Sequence, residues 1–142
     1  MKEIKPTYIT FEQAKWLKEN RFIEPTLTYW SKRDGLIENE ITLRNHNERG
    51  EWSTSRPEQW QVVEWLRFYH DIWVSVIKID GFQDLYYYTI TGSSEFFNNG
   101  RTITVEEWDD ETCDKMGYNN KYFNSPQEAY SAAFDYILNN LI

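Results

Sequence analysis

The 142 residues contain one cysteine, Cys113. An intramolecular disulfide is thereby excluded, and a thiolate zinc site would need further ligands of that kind. Histidine is nearly as scarce, with His46 and His70 only. The six glycines (Gly35, Gly50, Gly81, Gly92, Gly100 and Gly117) are scattered, and turns account for them. A phosphate-binding loop needs clustered glycines so that backbone amides can approach the anion, so no Walker or dinucleotide fingerprint is present and no cofactor is expected. Long apolar runs are also missing: no stretch approaches the ~20 residues of a membrane span. The opening Met1 to Thr10 is polar and lacks the apolar core of a secretory leader, so a cytoplasmic location without membrane is expected. Basic side chains are few in the second half. Residues 1–71 hold 11 basic and 12 acidic groups, whereas residues 72–142 hold 4 and 11, within a net charge of −8. Nonspecific nucleic-acid binding works through Lys and Arg that displace phosphate counterions, and this balance opposes it.

What is present in excess is aromatic. Seven Trp, ten Tyr and eight Phe offset a mean hydropathy of −0.75. Each ring buries a large area, so few side chains can fill a core. Disordered chains are poor in such rings, so a folded chain is expected, and its length suits one domain spanning 1–142.

Three helix starts can be read. Thr10-Phe11-Glu12-Gln13 forms a capping box, predicting a helix to about Asn20 that buries Phe11, Ala14 and Leu17, with Trp16 at its edge. Ser55-Arg56-Pro57-Glu58 predicts a second, from about Arg56 to His70, with Gln59, Val62, Val63, Leu66 and Tyr69 on the apolar spacing. Ser125-Pro126-Gln127-Glu128 predicts a third, whose stripe from Ala129 through Leu141 packs inward and docks the final residues.

Strands are predicted at Thr26–Ser31 and Leu36–Leu43 around the Asp34-Gly35 turn, then at Ile72–Ile79, Leu85–Thr91 and Thr102–Trp108. Ile72–Ile79 is apolar on both faces and is expected at the centre of a sheet. Residues 44–54 read as a polar loop holding His46, and 109–124 as another. The order is α-β-β-α-β-β-β-α. Regular β-α-β alternation is missing, so the expected class is α+β: an antiparallel β-sheet with three helices mainly on one face.

Little chemistry can be assembled from these pieces. His70 falls at the end of a helix, where a cation suits the dipole, and the adjacent Asp71 points elsewhere on such a helix. An acidic loop disfavours the thiolate of Cys113. Asp109, Asp110, Glu111 and Asp114 lack the alternate spacing, sixth-position glycine and twelfth-position glutamate of a calcium loop, so no metal site is expected. The acidic run itself, Glu106, Glu107, Asp109, Asp110, Glu111 and Asp114, remains. Its carboxylates repel one another. It reads either as a solvated loop or as a docking surface for a basic partner, with Trp108 as its aromatic anchor and a phosphate-mimicking inhibitor as one version. In Tyr86-Tyr87-Tyr88, alternation assigns the outer two to one sheet face and Tyr87 to the other, mainly for packing.

The run Tyr8-Ile9-Thr10-Phe11-Glu12-Gln13-Ala14-Lys15-Trp16-Leu17-Lys18-Glu19 is followed by Trp60 to Tyr69 before a strand, and by Phe123-Asn124-Ser125-Pro126-Gln127-Glu128-Ala129. This combination resembles small uncharacterised proteins encoded by phages, prophages and other mobile elements of Bacteroidetes. The resemblance implies a bacterial or phage cytoplasm and an accessory role, and it transfers no functional residue. The expected function is non-enzymatic binding of another protein through an acidic and aromatic surface, Glu106 to Asp114 with Trp108. The alternatives are a self-associating virion or assembly component, and an enzyme with a carboxylate site such as Glu106 or Asp109.

Overall fold

The structure, a computed structural model, describes residues 3–79, 85–92, 103–104 and 122–142. In chain order its elements are α1 (Phe11–Glu19), β1 (Thr28–Ser31), β2 (Gly35–Ile37), a 3-10 helix (His46–Trp52) and β3 (Ser53–Arg56). There follow α2 (Gln59–His70), β4 (Ile72–Lys78), β5 (Tyr86–Gly92), β6 (Ile103–Thr104) and α3 (Pro126–Asn140). Every strand pairing is antiparallel, and the α+β class holds.

Among the described residues the strands form two sheets rather than the one expected. β2-β1-β3 is the first and β4-β5-β6 the second, each three-stranded. The first sheet gains a strand at residues 53–56, expected as loop and as the start of α2. Ser53–Arg56 instead pairs with β1 throughout, from Thr28 opposite Arg56 to Ser31 opposite Ser53. Pro57 cannot donate to a ladder and holds its predecessor extended, so the strand ends there and the helix starts later. Glu58 takes the cap position that Ser55 was expected to fill, its N–H donating to Gln61 Oε1 at 3.0 Å. β2 is also shorter than expected: beyond Ile37 no described strand pairs with it, and Ile41 and Leu43 are exposed. Only Arg44 rejoins, exchanging backbone hydrogen bonds with Thr26 at 2.8 and 3.2 Å.

The first and third helix starts follow the sequence. Gln13 N–H donates to Thr10 Oγ1 at 3.2 Å, and Thr10 N–H donates to Gln13 Oε1 at 3.1 Å. Glu128 N–H donates to Ser125 Oγ at 3.2 Å, while the Glu128 carboxylate accepts from Asn124 N–H at 3.1 Å. The buried Gln13 amide also donates to Ser131 O at 3.0 Å and Asp135 Oδ1 at 2.9 Å, so one side chain caps α1 and ties it to α3.

The main core lies against the second sheet. Ile72 and Val74 of β4 share a face with Tyr88 and Ile90 of β5, in register Val74 to Ile90 and Val76 to Tyr88. Val62, Trp65 and Leu66 of α2 and Ala133, Phe134, Ile137 and Leu138 of α3 cover that face. Leu141 is buried with them, as the apolar end of the stripe implied. β4 was expected at the centre of its sheet. Among the described residues it is an edge strand, with Trp73 and Ile77 exposed on the opposite face. Tyr86 exchanges backbone hydrogen bonds with Phe123 at 2.9 and 2.8 Å, which brings the chain back beside β5 before α3 begins.

Candidate functional site: an aromatic cleft beside the second helix

α2 is aromatic on more than its inner face. Trp65 points into the core, whereas Trp60, Phe68 and Tyr69 are 61%, 74% and 53% exposed. Monomeric surfaces seldom gather large apolar side chains into one patch, and such a patch marks contact sites. Here Trp60, Phe68 and Tyr69 line a single cleft of about 480 Å³, with Leu43 and Pro25 on its far wall and Trp65 reaching its floor. That volume falls within the ~300–1,000 Å³ of ordinary ligand sites.

The segment before β1 positions the far wall. Glu24 precedes Pro25, which favours extended backbone at Glu24. Gln61 of α2 donates to Pro25 O at 3.2 Å, and Tyr69 Oη donates to Glu24 Oε1 at 2.9 Å. Two side chains one helical stretch apart therefore hold the same loop. The hydrogen bond to Glu24, and then its charge, push the Tyr69 phenol above its ordinary range. Arg67 pairs with Glu64 at 2.6 Å, which raises the guanidinium in turn and neutralises the one basic group that lines the cleft among the described residues.

Trp60 is the hinge between this cleft and two further hollows. One, of about 460 Å³, is lined by Ile4, Lys5, Pro6, Gln59 and Tyr130. The other, of about 110 Å³, is lined by Tyr8, Thr28, Arg56 and Glu58. The Arg56 guanidinium lies 3.9 Å from the Tyr8 ring centre and 5.6 Å from that of Trp30, and it bonds Glu38 at 2.6 Å. The indole N–H of Trp60 donates to Glu58 Oε2, fixing the ring along the rim. A surface of this kind can hold apolar side chains and orient a polar group. Among the described residues neither histidine nor cysteine lines the cleft, and its acids already accept hydrogen bonds from Tyr69 and Arg67.

The predicted site residues Glu106, Glu107, Trp108, Asp109, Asp110, Glu111 and Asp114 lie outside the described residues, as does Cys113. Among the described residues, no group of three or more His, Cys, Asp or Glu could hold a metal ion, and no helix is long and apolar enough to cross a membrane. The cleft itself was not foreseen. Tyr69 was assigned to the buried face, but it lies at the rim. The available signal was the crowding of Trp60, Trp65, Phe68 and Tyr69 on one short helix, more rings than one buried stripe can take.

The histidines are structural in placement. His46 is not in a polar loop: its ring is buried, stacks on Tyr29 at 4.0 Å between centroids and has Nε2 3.2 Å from Thr26 O. Burial lowers its pKa, more than the nearby Thr26 carbonyl raises it, and Arg49 and Arg44 add to the lowering against Glu40. His70 ends α2 with its ring 4.5 Å from that of Trp65, and burial lowers its pKa too. The chain matches no known protein family, no curated protein and no solved structure.

Proposed function

We propose that the chain is a non-enzymatic accessory protein of a phage or mobile element, and that it acts by binding another protein. The observation that carries this reading is the exposure of Trp60, Phe68 and Tyr69 along one cleft. Aromatic anchors in a hollow supply most of the energy of protein contacts, whereas lone surface rings need no explanation. The resemblance to phage and prophage proteins supports the cytoplasmic, accessory context. The acidic run around Trp108 stands as a second contact region in the same proposal, with Glu106, Glu107, Asp109, Asp110, Glu111 and Asp114 as its carboxylates.

The test compares three forms of the full chain as bait in host lysate, with captured proteins identified by mass spectrometry. They are wild type, Trp60→Ala with Phe68→Ala, and charge reversal at Glu107 and Asp110. A specific partner lost in the cleft variant, with an unchanged melting temperature, supports the cleft as the contact. Loss only on charge reversal moves the contact to the acidic run. A partner retained by both variants refutes both contact regions, and capture of no specific partner by any form refutes the protein-binding reading. Light scattering on the purified chain separates the second reading, a self-associating assembly component, for which the large exposed apolar side chains also argue. A concentration-dependent dimer abolished by Trp60→Ala would establish that reading instead.

A further inference from the structure

The chemistry of the cleft specifies more than an apolar partner. Its two acids differ in their surroundings. Glu64 is neutralised by Arg67, whereas Glu24 forms no ion pair among the described residues and meets only the Tyr69 hydroxyl. Around the Trp60 rim, Arg56 is likewise spent on Glu38, and Glu58 has no ion pair among the described residues and accepts from the Trp60 indole. Lys5 is the one lining cation without a described ion pair, and it lies beyond Trp60 in the second hollow. Among the described residues, the main cleft therefore sets a carboxylate without an ion pair opposite the aromatic wall of α2. That carboxylate is held in place from two sides, by Tyr69 and by the Gln61 bond to the next carbonyl. The net charge of −8 adds a field that attracts cations to the whole chain.

We propose that the segment bound in this cleft is cationic: a lysine or arginine of the partner seats at Glu24, and an adjoining apolar side chain packs between Trp60, Phe68 and Leu43. The inference rests on the protein-binding reading and narrows it to one class of partner. Aromatic walls favour such a cation as well, since ring faces attract ammonium and guanidinium groups. A second copy of this acidic chain is disfavoured as occupant by repulsion between like charges.

The probes are three labelled synthetic helical peptides with the same leucines at helical spacing, the other positions being lysine, glutamine or glutamate. Binding to the full chain is followed by fluorescence anisotropy at low and high salt. The lysine peptide should bind most tightly and weaken with salt. Glu24→Gln should weaken it about two- to five-fold, the effect of one exposed charge pair, and Trp60→Ala about ten-fold or more. Glu12→Gln removes the same charge from the first turn of α1 and should change nothing. Equal weakening by Glu24→Gln and Glu12→Gln would mean attraction by the general field and would overturn the inference. Equal binding of all three peptides, each weakened by Trp60→Ala, would overturn the cationic preference and leave the cleft as a protein-binding site. Binding of no peptide, or binding indifferent to Trp60, would overturn both.

Discussion

Lowering the pH from about 7 to about 5.5 protonates a free imidazole, whose ordinary pKa is about 6.5. In the fold, His46 resists that proton. Its ring is 1% exposed, lies flat on Tyr29 and has Arg44 and Arg49 nearby, with only Glu40 and the Thr26 carbonyl favouring the cation. The folded pKa is thus below the unfolded one. Across this window the unfolded chain binds more protons, so stability falls as the pH falls. The loss from this one residue between those two pH values is at most about 1.3 kcal/mol, the limit for a folded ring that takes up no proton, from a limiting slope of about 1.4 kcal/mol per pH unit. His70 is shifted in the same direction by burial beside Trp65 and adds a loss of the same sign. The assay is urea unfolding, followed by tryptophan fluorescence at several pH values. His46→Gln, which keeps a side-chain N–H for Thr26 O, should shrink the pH dependence while leaving the part due to His70. Identical pH dependence in wild type and variant would refute the argument and mean that the buried ring titrates as freely as in water.

Two further expectations concern packing. Gln13→Ala removes the bond that closes the α1 cap and the donations to Ser131 and Asp135, so unfolding free energy should fall by about 2–3 kcal/mol in the same assay. Trp65→Ala opens the core where the ring meets Phe22 and His70, and should cost about 3–5 kcal/mol, whereas the exposed Trp60→Ala should leave the urea midpoint nearly unchanged.

How far the sequence could be read depended on the range over which each signal acts. The caps at Thr10 and Ser125 are made by residues three apart, and both are found where the sequence puts them. The stripe of α3 is a local periodicity, and it is buried as expected. Ser53–Arg56 is another matter. Its residues have no apolar alternation, and they become a strand because β1, more than twenty residues earlier, offers a free edge. The same long-range event buries His46, since Ser53 Oγ donates to the His46 carbonyl and Ser55 N–H to Asn47 Oδ1. A polar run in sequence becomes a packed polar layer once its bonds close on one another. Nothing within the run itself signals this.

The cleft follows from the same distinction. A helix of 12 residues with one buried stripe can hide Val62, Trp65 and Leu66 against β4 and α3. Trp60 and Phe68 then lie outside the stripe whatever their hydrophobicity, and only a neighbour from another element could cover them. The segment before β1 comes near, but Pro25 and Glu24 bring a bond acceptor and a charge to the helix and no large apolar side chain. It completes a wall without filling the space. A hydrophobic helix face would ordinarily be unfavourable in water, and here it is left facing a carboxylate that no described cation neutralises. The two features are complementary to one kind of occupant, an apolar segment that brings its own positive charge.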